Sequence, residues 1–108
     1  MNYSTFIIKI INKPKLNSFD KNITNSEILG QFYQFKEKNN TFCKISVWGT
    51  TAYEVVKYYN KHDYLVVEGY VSFRESKFEE FNITSKMEIS AFKVYPINLS
   101  KLKLLINQ

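Results

Sequence analysis

The chain of 108 residues has one cysteine, Cys43, so it forms no internal disulfide and offers no thiolate cluster to a metal. Its one histidine, His62, has no cysteine or second histidine near it, which leaves zinc without a tetrahedral ligand set. Three glycines and two prolines are too few for long flexible linkers. No run of 18 apolar residues is present, so no membrane-spanning helix is expected. Met1–Tyr3 leads straight into a strand-like segment without the basic-then-apolar start of a secretory signal, which implies a protein that works where it is made. There is no Gly-rich phosphate loop and no meaningful Ser-His-Asp spacing. The acidic pair Glu79–Glu80 sits in a polar run, where solvation explains it. The expectation is a non-enzymatic protein without cofactor or metal.

Aromatic rings, by contrast, are abundant. Nine Phe, eight Tyr and one Trp make up 17% of the chain, more than a core of this size needs, so some rings must face solvent. The net charge of +5 is unevenly placed: residues 1–61 hold nine Lys against four acids, and residues 62–108 hold six bases against six acids. The excess in the first part suits an anionic partner, although lysines also simply keep a small protein soluble. Fourteen of the fifteen bases are Lys, and Phe, Tyr, Met, Ile, Asn and Lys together supply about half of the chain. That bias is the mark of an AT-rich genome such as an organelle's or a reduced bacterium's, and it bears on compartment rather than on fold.

The pattern of residues predicts strands from Tyr3 to Lys13, ended by Pro14, then from Glu27 to Lys36 and from Thr41 to Trp48. The last two form a hairpin around the Glu37–Asn40 turn, and Lys15–Ser26 between the first two reads as a loop or a weak strand. Thr50–Lys61 reads as a helix, with Thr51 and Glu54 in capping-box spacing and Ala52, Val55, Val56 and Tyr59 as its stripe. A fourth strand runs from Tyr64 to Arg74, with Leu65, Val67, Gly69, Val71 and Phe73 on one side. Glu75–Ser85 reads as a polar loop, and Lys86–Tyr95 as a fifth strand closed by Pro96. Three strands, a helix and two strands are the order of the OB-fold, so the predicted class is mainly β: a five-stranded Greek-key barrel with a helix between strands three and four. The barrel is expected to occupy residues 1–98 and a short tail residues 99–108.

The third strand is the most informative. Cys43, Ile45 and Val47 fall on one face, small and apolar as a barrel interior requires. Phe42, Lys44, Ser46 and Trp48 fall on the other as ring, cation, small polar, ring. Bases of a single strand stack on aromatic faces while cations track its phosphates, and this row has the parts for both. Tyr70, Ser72 and Arg74 on the fourth strand and Phe32 or Phe35 on the second are placed to continue it. The alternative is that Phe42 and Trp48 cap the open end of a small barrel. Gly49 lets the chain leave the strand, and Gly69 lets the barrel bend.

Residues Cys43–Val71, "CKISVWGTTAYEVVKYYNKHDYLVVEGYV", resemble the heart of bacterial single-stranded DNA-binding proteins. The match lies in Trp48–Gly49, Ala52 and Tyr59, the Lys61-His62-Asp63 turn and Val67-Glu68-Gly69. "EISAFKVYPI" resembles the family's closing strand and "FIIKIINKPKL" its first. The look is that of the short SSB-like proteins of cyanobacteria and red-algal-type plastids. The resemblance implies that Trp48 and Phe42 are stacking rings and that Arg74 is a basic position. The family's third ring is missing near Ser76, where only Phe73 or Phe78 is close. His62 replaces the usual turn glycine, Cys43 stands where a histidine that helps assembly is often found, and the acidic, Phe-ended tail that recruits partners is lacking.

The expected nucleic-acid-binding set is therefore Phe42, Lys44, Trp48, Arg74, Tyr70 and Phe35. The expected partner is single-stranded DNA, with RNA possible. A homo-oligomer (dimer or tetramer), a plastid location and a role in replication, repair or recombination complete the expectation. A different class stays open: an OB module that serves as a protein–protein subunit of a primosome-like or ribonucleoprotein complex. A strand binder should keep Phe42, Lys44, Trp48 and Arg74 on one exposed face, whereas a scaffold should bury Trp48 or place an apolar patch there.

Overall fold

The computed structural model describes residues 2–18, 23–33 and 41–97. Phe35, the Glu37–Asn40 turn and the helical spacing of Leu99–Ile106 lie outside the described residues.

The elements run β1 (Ser4–Ile10), β2 (Leu16–Ser18), β3 (Thr24–Phe32), β4 (Phe42–Trp48), α1 (Gly49–Tyr58), β5 (Tyr64–Ser72), β6 (Ser76–Phe78), β7 (Ile83–Ser85) and β8 (Glu88–Pro96). The sheet order is β1-β5-β8-β4-β3-β2, and β3 also returns to β1 through Ile8↔Phe32 and Ile10↔Gly30, which closes a five-stranded barrel with its helix between β4 and β5. All pairings are antiparallel except β4 with β8. Alternation fills the interior: Ile8, Ile10, Ile28, Ile45, Val47, Leu65, Val67 and Ile89 are fully buried, and α1 adds Ala52 and Val55. Each such side chain contributes about 1.5–3 kcal/mol by leaving water.

Local chemistry explains where the elements end. β1 stops at Ile10 rather than running to Lys13, because the side chain of Asn12 takes over the ladder. Its Oδ1 accepts from the Leu29 N–H at 2.8 Å, and its Nδ2 donates to the Glu27 carbonyl at 3.3 Å. Beyond Pro14 the short β2 pairs with the start of β3, so the segment read as a loop holds a strand and β3 begins earlier than expected. The helix also starts early. Gly49, with φ of 61°, turns the chain directly out of β4 and makes Trp48 the N-cap, without a side-chain cap bond. Thr51 thereby falls inside the first turn, so the expected Thr51–Glu54 capping box does not form. The helix ends at Tyr58, and residues 60–63 form a turn in which the Asn60 N–H donates to Asp63 Oδ2 at 2.7 Å. His62 adopts φ of 73° there, the left-handed conformation that a glycine would take without strain.

Two features mark the later part of β5, and the first is the bend expected at Gly69. At Glu68/Gly69 the β5–β8 register slips, and a Cβ on Gly69 would lie 2.5 Å from the Ser90 carbonyl oxygen. Gly69 therefore stands at a bulge because only glycine fits against the neighbouring backbone. β5 then ends at Ser72, so Phe73 drops out of the inward alternation in which it was predicted and is 83% exposed. The run read as a polar loop, Glu75–Ser85, folds as a small hairpin. β6 and β7 pair through Ser76↔Ser85 and Phe78↔Ile83, and a 3-10 turn over Glu79–Phe81 joins them.

Candidate nucleic-acid interface

β4 carries the candidate site because its two faces do different work. Cys43, Ile45 and Val47 point into the barrel and are fully buried. Burial pushes the Cys43 thiol up to about 12, so it stays protonated and unreactive at neutral pH. On the outer side stand Phe42, Lys44, Ser46 and Trp48. The strand rises about 3.3 Å per residue, which puts Phe42 and Trp48 roughly 20 Å apart at the two ends of one row. Trp48 is 47% exposed: its backbone is extended, the chain leaves through Gly49, and the ring is left standing on the surface.

The floor between the rings is nearly neutral. Lys44, its side chain 17% exposed, pairs with Glu27 across the strand at 3.2 Å. Ser46 is buried and its hydroxyl donates to Glu88 Oε1 at 3.2 Å. The other oxygen of Glu88 lies 3.8 Å from Nε of Arg74, beyond hydrogen-bond length, and the arginine side chain is 73% exposed. Lys44 is therefore held by a carboxylate, whereas Arg74 is loosely paired and can turn toward a ligand.

The β6–β7 hairpin packs on β4 through β7. Phe78, Glu80 and Phe81 reach Asn12, Lys13, Lys15 and Lys61 across a cleft of about 350 Å³, and Nζ of Lys61 lies 5.9 Å from the centre of the Phe81 ring. Leu29, on the outer row by its register opposite Lys44, is fully buried. At the base of the hairpin, Thr41, Phe42, Phe73, Thr84, Lys86 and Met87 line a second concavity of about 310 Å³.

Tyr70 is placed elsewhere. On the outer face of β1, β5 and β8 it joins Tyr3 (ring centres 6.4 Å apart) and Phe92 (5.4 Å), and Tyr3 meets Phe92 at 5.1 Å. All three rings are exposed. At the far end of this face Tyr33 meets Tyr64, and Lys9 lies over the Tyr64 ring.

Among known proteins, no family model matches the chain. A protein of Trieres chinensis named "Putative single-stranded DNA-binding protein ycf41" is 43% identical over 108 residues, and the alignment covers 96% of each. The chain belongs to the single-stranded DNA-binding protein family. Solved structures share its fold: the SSB domain of a Synechococcus protein superimposes with a TM-score of 0.67 at 21% identity, covering 88% of this chain and 94% of that one. The second single-stranded DNA-binding protein of Mycobacterium smegmatis gives the same TM-score at 23% identity, with 92% and 90% covered.

Within this family member, Phe42, Lys44, Trp48 and Arg74 gather around the outer side of β4, Tyr70 belongs to a different face, and Phe35 lies outside the described residues. Sequence reasoning did not find the two carboxylates that neutralise the floor. Glu27 was legible as the residue opposite the small-polar position only once the β3–β4 register was known. Nor did it find Lys86 beside Phe42, and it named Phe73 only as a ring near Ser76, without its place beside Phe42. The hint for Phe73 was its position immediately before the polar run 74–77, where inward alternation had no further strand to support it.

Proposed function

We infer that this protein binds single-stranded DNA along the outer side of β4, with little dependence on sequence. Bases stack on Phe42 and Trp48, each worth about 1–3 kcal/mol, while Arg74 and neighbouring lysines neutralise phosphates. The observation that carries this reading is the half-exposed ring of Trp48 at the end of a strand whose inward side is fully buried. A barrel cap would have its ring turned in. The name of the 43% identical relative supports the same partner. Arg74 serves the phosphate better than Lys44, because a phosphate at Lys44 must first compete with Glu27 at 3.2 Å.

The role is one of binding, in DNA replication, repair or recombination, and not of catalysis. The AT-biased composition and the ycf41 relative support a plastid location. We also propose that the chain assembles with itself through the Tyr3–Tyr70–Phe92 face, since three exposed rings that already contact one another form an apolar patch that a second copy would cover.

The experiment is a titration of the protein with oligo-dT, reading Trp48 fluorescence over a salt series and repeating it with oligo-rU. Quenching that weakens steeply as salt rises is the expected result. A folded sample whose fluorescence is unmoved at low salt would sink the reading and favour the protein-scaffold alternative.

A further inference from the structure

Phe73 is the barest large apolar side chain among the described residues, at 83% exposure, and it stands in neither the core nor the Tyr3–Tyr70–Phe92 cluster. It shares a concavity with Phe42, and the remaining walls are Thr41, Thr84, Met87 and Lys86. No carboxylate lines this slot, unlike the β4 floor with Glu27 and Glu88 or the cleft under the hairpin with Glu27 and Glu80. Its volume of about 310 Å³ is at the small end of ligand pockets.

We propose that Phe73 and Phe42 form the two walls of a slot for one nucleobase, which extends the strand's path past the end of β4. This rests on the strand-binding reading above. Ring faces and a thioether suit the flat apolar faces of a base. The threonine hydroxyls, able to donate or accept, suit its polar edge without selecting one base. Lys86 at the rim and Arg74, the next residue along the chain, set two cations beside the flanking phosphates. A purely apolar partner would leave these cations and hydroxyls to be desolvated without compensation.

Two measurements test the slot. In the first, oligo-dT carrying a single 5-iodouracil is irradiated with the full-length protein and the adduct is located by mass spectrometry. An adduct at Phe73 is expected, and adducts confined to other residues, Phe42 included, overturn the proposal. In the second, Phe73→Ala is expected to weaken oligo-dT binding about ten- to hundredfold, while Phe73→Tyr retains it and saturating DNA still quenches Trp48 in both. Because the side chain is almost bare, Phe73→Ala removes little packing and should fold as the parent does. Parental affinity in Phe73→Ala overturns the slot and leaves the β4 reading standing. Parental affinity with a lowered mass in sedimentation makes Phe73 a contact between copies, which also overturns it. If Trp48 of the parent is not quenched at all, the strand-binding reading fails and the slot falls with it.

Discussion

The outer side of β4 and the outer face of β1, β5 and β8 are both rich in rings, yet they are built on opposite rules. On β4 the rings sit about 20 Å apart at the ends of a row, separated by a cation and a hydroxyl, with the loosely held Arg74 alongside. On the other face Tyr3, Tyr70 and Phe92 lie within 5.1–6.4 Å of one another, two of the pairs edge-on. Rings in mutual contact satisfy one another's quadrupoles and form an apolar patch, best suited to a surface of the same kind. Rings held apart with cations nearby suit flat, charged-backbone ligands. Ring content alone does not distinguish a nucleic-acid surface from a protein surface. Spacing and the fate of the interleaved charges do.

The contrast can be broken most decisively at its two central residues. Trp48→Ala is expected to weaken oligo-dT binding by about 1–3 kcal/mol, read by anisotropy of a labelled oligonucleotide, with the assembly unchanged. Tyr70→Ala should do the reverse, lowering the mass seen in sedimentation with little change in strand affinity. Equal losses of affinity in both variants would erase the distinction between the faces.

A second test concerns the inner side of β4. The Cys43 thiol rises from 9.0 to about 12 through burial, so between these values the unfolded chain loses a proton that the folded chain keeps. Stability must therefore fall as pH rises through that window, by up to about 1.4 kcal/mol per pH unit, and be unaffected by this group below pH 9. Tyr59 is raised in the same sense, by burial first and then by Asp63 and Glu54, so Cys43→Ala should flatten the alkaline slope in denaturant melts without abolishing it. An unchanged slope would mean that the thiol is not held in the barrel. Arg74→Ala has a smaller expected effect: one fewer phosphate contact lowers the log–log salt slope of single-strand binding by about 0.7. The smallest is His62→Gly, which relieves a left-handed φ of 73° at about 1–2 kcal/mol but adds unfolded-state freedom of about 0.5–1 kcal/mol, for a net gain of a degree or a few in thermal melts.

Much of the site was legible because β4 alternates with a strict period of two. Once Cys43, Ile45 and Val47 are assigned inward, Phe42, Lys44 and Trp48 have nowhere else to point. The departures arose where a local signal met a longer-range constraint. Thr51 and Glu54 have capping-box spacing, but Gly49 starts the helix three residues too early for them to use it. Phe73 continues the apolar alternation of β5 on paper, but the strand ends one residue before it. Tyr70 shares its strand with the approach to Arg74, yet a closed barrel turns its outer surface through space, so two outward residues on one strand can serve different faces.

The sequence by itself determined the order of the five barrel strands and the helix, the inward and outward residues of β4, and the turn at Gly49, because each follows from steric and hydrophobic preferences of residues close in the chain. Only the tertiary structure decided that Lys44 is held by Glu27 while Arg74 stays loose, that Tyr70 joins Tyr3 and Phe92, and that Phe73 comes to share a slot with Phe42. Those outcomes depend on strand register and barrel closure, which bring together residues many positions apart.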